Sequence, residues 1–326
     1  MKWIKCIISN QSALEFWRKA QAEDALAGKK SRAVIKPQTT PLDTEELRAE
    51  KFWGLTKPLH VLVGSDNARK LNRNLYCHIS TGEYPNGSFV RLDSGLAISS
   101  PELCFLQMAD ELSLIDLVAL GYELCGAYRL DWESSEGKGF RGDLPLTSVV
   151  SLSSYIARAA GLKGRKKAQK ALRFIIDGSA SPMETILSML LTLPYRLGGY
   201  GFTKPLLNYR VEAPVNVGKS TGKSKHYYCD LYWADKKVDV EYDSDAYHTG
   251  PERIAQDAIR RNALSGMGVT VVTVSRRQVI EASKMRELAK LLSKLLRKRL
   301  QYPIKELTYR NSKLLDQLLP KLPVND

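Results

Sequence analysis

The segment from Cys229 to Asp243, C-D-L-Y-W-A-D-K-K-V-D-V-E-Y-D, constrains this chain more than any other, because it reads as two short strands around a polar turn. With the turn at Asp235-Lys236, Trp233 stands opposite Val238, Leu231 opposite Val240 and Asp230 opposite Glu241. Side chains alternate along a strand, so Leu231, Trp233, Val238 and Val240 share an apolar face. Asp230, Asp239, Glu241 and Asp243 then share the other. Carboxylates opposed across a strand pair start ~4.5–5.5 Å apart at Cβ and repel. Two arrangements tolerate that charge. The face lies open to water, or a divalent cation such as Mg²⁺ or Mn²⁺ takes the carboxylate oxygens together with waters and substrate phosphate oxygens. A cation held there activates a water and neutralises charge on a phosphate under attack.

The flanking residues extend the pattern. Ser181-Pro182-Met183-Glu184 opens a helix with apolar residues at Met183, Ile186, Leu187, Leu190 and Leu191. Glu184 has a structural reading, as the capping partner of Ser181, and a catalytic one, and the two are not exclusive. Strands are expected at Tyr209–Val215, Tyr227–Trp233, Lys237–Asp243 and Val269–Val274, with a helix over Pro251–Leu264 capped by Thr249. His248, five positions after Asp243, is either an acid, base or phosphate ligand, or an ordinary surface residue. Arg253, Asp257, Arg260, Arg261 and Leu264 fall on roughly one side of the following helix; Asp257 and Arg261 also make an ordinary i,i+4 pair. A basic amphipathic helix is expected over Val279–Leu300.

Charge narrows the class of partner. The 326 residues carry 49 Lys and Arg against 35 Asp and Glu, a formal charge of +14. Such an excess favours polyanions, nucleic acid or an anionic membrane surface. The membrane is disfavoured, since the longest apolar stretch, Ile186–Leu193, falls well short of the ~20 residues a spanning helix needs. The N-terminal apolar run is too short for a signal peptide, so the expected compartment is cytoplasmic. The five cysteines show no C-x-x-C spacing, and Cys104 and Cys125 sit among apolar residues as buried thiols. Gly218-Lys219-Ser220-Thr221-Gly222-Lys223-Ser224 has one residue too few between its glycines for a phosphate-binding P-loop. It reads instead as a basic hairpin loop offering Lys219, Lys223 and Lys225 to phosphates. The run containing Arg165, Lys166 and Lys167 is either a solvated face or a second phosphate contact.

These signals divide the chain into an N-terminal α/β domain over 1–146, a basic helical connector over 147–177, a catalytic domain over 178–300 and a tail over 301–326 without a motif. In the first domain, Lys57–Val63 reads as a buried strand and Phe89–Ile98 as two short strands. Ser99 and Glu102 form a capping box at the start of a helix, and Ser113 caps the next. Glu133–Gly142 reads as a linker and Leu152–Phe174 as one basic helical segment.

The series Asp230…Val240-Glu241-Tyr242-Asp243…His248…Asp257…Arg260-Arg261-Asn262-Ala263-Leu264-Ser265-Gly266-Met267-Gly268-Val269, with the Ser181–Glu184 helix start, resembles the very-short-patch-repair-type endonucleases. It is similar still more closely to the "endonuclease domain" family allied to them, within the PD-(D/E)xK superfamily. The resemblance covers about a third of the chain. It implies a restriction-endonuclease-like fold, a central mixed α/β sheet flanked by helices, and Mg²⁺-dependent phosphodiester hydrolysis. It further implies that Asp230 is the principal metal ligand, Glu241 a metal-binding or water-positioning carboxylate and Glu184 a supporting acid or ligand. Asp243 and His248 take the two polar catalytic positions that are His in the mismatch-repair members. The motif lysine two residues after the Glu is replaced by Asp243, and Ser244 stands where the relatives carry Gly. The N-terminal domain resembles the N-terminal halves of those multi-domain relatives and, through them, antitoxin or regulator modules of abortive-infection type. The expected function is thus a nuclease acting on DNA, with the N-terminal domain available for self-association or a partner protein. The alternatives are a non-enzymatic nucleic-acid-binding regulator and a defence or toxin–antitoxin component.

Overall fold

The computed structural model describes residues 4, 6–20, 32–33, 35–37, 54–69, 73–92, 95–133, 138–212, 226–243, 251–300 and 304–321. The fold is mixed α/β with open sheets, and the chain divides into two compact units. Residues Met1–Cys125 and Asp143–Ile175 form the first, and Gly126–Gly142 with Ile176–Asp326 the second. No helix among the described residues is long and apolar enough to cross a membrane.

The first unit holds a six-stranded mixed sheet in the order β2-β5-β6-β1-β3-β4. Its strands are β1 (Cys6–Ile8), β2 (Arg32–Ala33), β3 (Leu59–Val63), β4 (Leu75–Ile79), β5 (Phe89–Arg91) and β6 (Leu96–Ser99). The strands read at 57–63 and 89–98 are therefore present, each slightly shifted. Helix α1 (Asn10–Lys19) follows β1, and α2 (Pro101–Glu111) and α3 (Leu114–Leu124) follow β6. Ser113 caps α3 as its sequence suggests, accepting from Asp116 N. The cap of α2 is Ser100 rather than Ser99: its Oγ accepts from Leu103 N, while Glu102 accepts from Thr147 Oγ1. Cys104 and Cys125 are buried, as their apolar neighbours predict.

The basic segment is two helices, α4 (Val149–Arg158) and α5 (Arg165–Leu172), and both belong to the first unit. Gly164 breaks the segment at a left-handed φ of 78°. A Cβ on Gly164 would stand 2.7 Å from Leu106 O, so close approach to α2 also demands glycine. The expected linker at 133–142 contributes a strand instead, β8 (Phe140–Gly142), which pairs with β7 (Tyr128–Leu130) in the second unit.

The second unit is built on a four-stranded sheet in the order β12-β11-β10-β9. The hairpin of β10 (His226–Trp233) and β11 (Val238–Asp243) is antiparallel. The outer strands are β9 (Leu206–Glu212), antiparallel to β10, and β12 (Thr270–Ser275), parallel to β11. A parallel neighbour requires a crossover, supplied by α7 (Pro251–Gly266). Helix α6 (Pro182–Thr192) precedes the sheet, and Met183, Ile186, Leu187, Leu190 and Leu191 are all buried as their spacing predicts. The expected 279–300 helix is split into α8 (Arg276–Ile280) and α9 (Ala282–Leu295). The tail is not featureless: α10 (Ile304–Leu318) buries Leu307, Asn311, Leu314, Leu315 and Leu318, a helical spacing.

Candidate active site

The hairpin register is the one its sequence predicts: Trp233 pairs with Val238 and Leu231 with Val240. Leu231, Trp233, Val238 and Val240 are buried on the apolar face. The carboxylate face is covered as well. Asp239 is fully buried and Glu241 is only 8% exposed, so the solvent-facing arrangement does not hold for them. Cys229, Tyr232, Leu264 and Val269 form a buried cluster that brings α7 against the sheet.

Pairing between β10 and β11 stops at Leu231 and Val240. Beyond that point β10 stays paired with β9 as far as His226, and β11 with β12 as far as Asp243. The two central strands thus part where Asp230 and Glu241 stand. Asp230 Oδ2 uses the opening to accept from Tyr242 N at 2.9 Å, satisfying a backbone donor that the ladder no longer serves. A cleft lies here, lined by Asp230, Glu241, Tyr242, Asp243, Arg260, Arg261 and Thr273.

Arg260, projecting from α7, stands 2.8 Å from Glu241 Oε1 through Nη2 and donates from Nη1 to Glu241 Oε2 at 3.2 Å. It also donates to Tyr228 O. Glu184 Oε1 accepts from Ser181 Oγ at 3.0 Å, and Oε2 accepts from Ala180 N at 2.9 Å and Asn208 Nδ2 at 2.7 Å. Its capping role is therefore realised, and Asn208, at a left-handed φ of 46° on β9, adds a tether that sequence reading missed. Glu184 does not line the cleft, but its charge reaches Asp230.

Burial, the Glu184 charge and, to a smaller extent, the Glu241 charge push the Asp230 carboxyl up to about 8, against the opposing Tyr242 N–H and Arg260. Burial and the neighbouring Glu241 push Asp239 up to about 9. Among the described residues neither Asp239 oxygen has a hydrogen bond of good geometry, although the Glu241 carboxyl and the Cys229 thiol both act on it. Burial also raises Glu184, opposed by its three hydrogen bonds, and raises the Cys229 thiol, with Asp239 adding to the effect. Each shift has the same origin: negative charge is gathered away from water with too little cation beside it.

Of the residues singled out in the sequence, Asp230, Glu241 and Asp243 share the cleft, and Glu184 lies within electrostatic reach of Asp230. Arg260 and Asp239 belong to the same constellation; helical phase places Arg260 on the right side of α7, and the alternation of β11 places Asp239 on the right face. His248, Lys219, Lys223, Lys225 and the side chain of Asp257 lie outside the described residues. Arg165 donates to Ile156 O and Ala157 O, and Lys167 to Leu112 O. Both thus hold carbonyls at the ends of neighbouring helices, while Lys166 is exposed. Comparisons with protein-family models, with curated proteins and with solved structures give no match to this chain.

Proposed function

We propose that the second unit is a metal-dependent nuclease domain that hydrolyses phosphodiester bonds, with DNA as its substrate. The observation that carries this reading is the cleft at the parting of β10 and β11, where three carboxylates meet two arginines. The donor set fits a hard divalent cation, since Asp230, Glu241 and Asp243 offer only oxygen. The raised Asp230 carboxyl and the Asp239 oxygens without good hydrogen bonds mark charge that such an ion relieves. Bound there, Mg²⁺ or Mn²⁺ would activate a water and neutralise charge on the phosphate.

The chain's own residues supply the remaining functions. Asp230 and Glu241 would hold the ion, with Asp230 fixed by the Tyr242 N–H. Arg261 lines the same cleft and is exposed, where it can meet a phosphate oxygen, and Arg260 orients Glu241. Glu184, tethered by Ser181, Ala180 and Asn208, sets the field at Asp230. The mixed sheet flanked by helices agrees with the PD-(D/E)xK resemblance, and the net charge of +14 agrees with a polyanionic substrate.

Two observations favour a second reading, a nucleic-acid-binding regulator without catalysis. The motif lysine is absent, and Glu241 already has a cationic partner in Arg260. Incubation of the purified chain with supercoiled plasmid and Mg²⁺ or Mn²⁺ separates the two. Nicking or linearisation that EDTA abolishes is expected. Retarded but uncut plasmid at every metal concentration decides for the regulator.

A further inference from the structure

A second group of potential metal ligands lies in the first unit, far in sequence from the carboxylate hairpin. His60 on β3, His78 on β4 and Glu111 at the end of α2 each present a ligand atom, and these atoms all lie within 4.8 Å of one another. His78 Nε2 stands 2.9 Å from His60 Nδ1. The strand register explains the approach: His60 pairs with Tyr76 and Leu62 with His78, so the two imidazoles are diagonal neighbours on one face of a parallel pair. Both are only partly buried, and Glu111 is exposed, so the group is open to solvent.

Two observations favour an ion over a simple imidazole pair. The ring nitrogens that face each other are those a metal would use, and the third donor is a carboxylate. Glu111 is also held in place: Asn10 Nδ2 donates to its Oε1 at 2.7 Å, and Asn10 N donates to Gln107 Oε1 at 3.1 Å. Asn10 is 5% exposed and sits at a left-handed φ of 47°, a conformation that asparagine tolerates better than most residues. This tether leaves Glu111 Oε2 available to an ion, and outer hydrogen bonds of this kind orient metal ligands.

From this geometry we infer that His60, His78 and Glu111 form a Zn²⁺ site whose fourth position is open to water or an external ligand. Two imidazoles and a carboxylate suit Zn²⁺ better than Mg²⁺, which prefers oxygen throughout. A tetrahedral ion with bonds of ~2.0–2.1 Å sets its ligand atoms ~3.3 Å apart, so the two rings need to separate by only about 0.4 Å. The shared N–H proton moves to the distal nitrogen of its own ring, and both imidazoles stay neutral. The ion ties the edge strand β4 to β3 and to the end of α2. Exposed Tyr76, stacked on His60 with ring centroids 5.1 Å apart, lies beside it.

The test uses the full chain stripped of metal with chelator and titrated with Co²⁺, then with Zn²⁺ as competitor. The wild-type protein is expected to take roughly one equivalent of Co²⁺ with the intense visible bands of a four-coordinate ion, and Zn²⁺ should abolish them. His78→Ala should lose those bands. Glu111→Gln, which still accepts from Asn10 and sits on the surface, should weaken Zn²⁺ binding at least ~10-fold while circular dichroism stays unchanged. Asp230→Asn should retain the bands in full, which keeps this site separate from the proposed nuclease centre. Wild-type protein without such bands, or equal Zn²⁺ affinity in wild type, His78→Ala and Glu111→Gln, overturns the assignment.

Discussion

At the scale of single residues, the carboxylates of the hairpin make opposite demands on metal binding and on stability. Asp230 is expected to be indispensable for cleavage: Asp230→Asn should lower metal-dependent plasmid cleavage by at least ~100-fold and leave the circular dichroism spectrum unchanged. Undiminished cleavage by the folded variant would remove Asp230 from the site. Asp239 gives a test that needs no substrate. In the unfolded chain an aspartate titrates at ~3.9, whereas the folded Asp239 is raised to about 9. Between those values the folded state holds a proton that the unfolded state has released. Stability therefore falls as pH rises through that window, by up to ~1.4 kcal/mol per pH unit for one proton. With EDTA present, Asp239→Asn should flatten the slope of unfolding free energy between about pH 5 and about pH 8. Chemical denaturation across that range measures it, and parallel slopes for the two proteins would place the titrating group elsewhere.

At the scale of elements, the C-terminal helix is the largest departure from the sequence reading. The last stretch of chain carries no motif, yet its leucines recur at helical spacing, and α10 packs against α6 and α9. Its docking depends on the turn at Gly198, which has a left-handed φ of 91° and whose carbonyl accepts from Asn311 Nδ2 at 3.1 Å. A Cβ on Gly198 would stand 2.5 Å from Arg310 O and 2.9 Å from Leu314 Cβ. Backbone strain and the clash act together, so Gly198→Ala should destabilise the second unit by about 2 kcal/mol or more. A lowered urea midpoint is the expected result. An unchanged midpoint would mean that α10 contributes little to the stability of that unit.

At the scale of the whole molecule, the net charge of +14 makes a statement about binding that salt can test. Each lysine that neutralises a phosphate contributes roughly −0.9 to the slope of log affinity against log salt on duplex DNA. Replacing Lys219, Lys223 and Lys225 together with Gln should make that slope shallower by about 2 to 3. Arg165 and Lys167 are committed to the carbonyls of helix ends, so replacing them should lower stability by about 1 kcal/mol each and leave the slope unaltered. Fluorescence anisotropy with duplex DNA at several salt concentrations reads both sets. Equal slopes in wild type and the triple lysine variant would move the phosphate contacts elsewhere.

The sequence by itself determined the hairpin, its register, its two faces and the helix that begins at Ser181. The turn at Asp235-Lys236 sets the pairing, and alternation of apolar and acidic residues keeps Leu231, Trp233, Val238 and Val240 on one face. These are local signals, fixed by the period of a strand and by a cap within one turn. What the tertiary structure alone decided is what covers the acidic face, because burial of Asp239 depends on a helix that returns to the sheet after the hairpin has ended. It also decided that β10 and β11 part at Asp230, that Arg260 reaches Glu241, and that the basic run folds as two helices in which Arg165 and Lys167 bind carbonyls at the ends of neighbouring helices. The approach of His60, His78 and Glu111 is of the same kind. Those residues lie 18 and 33 positions apart along the chain, and only strand register and the packing of α2 set their donor atoms side by side.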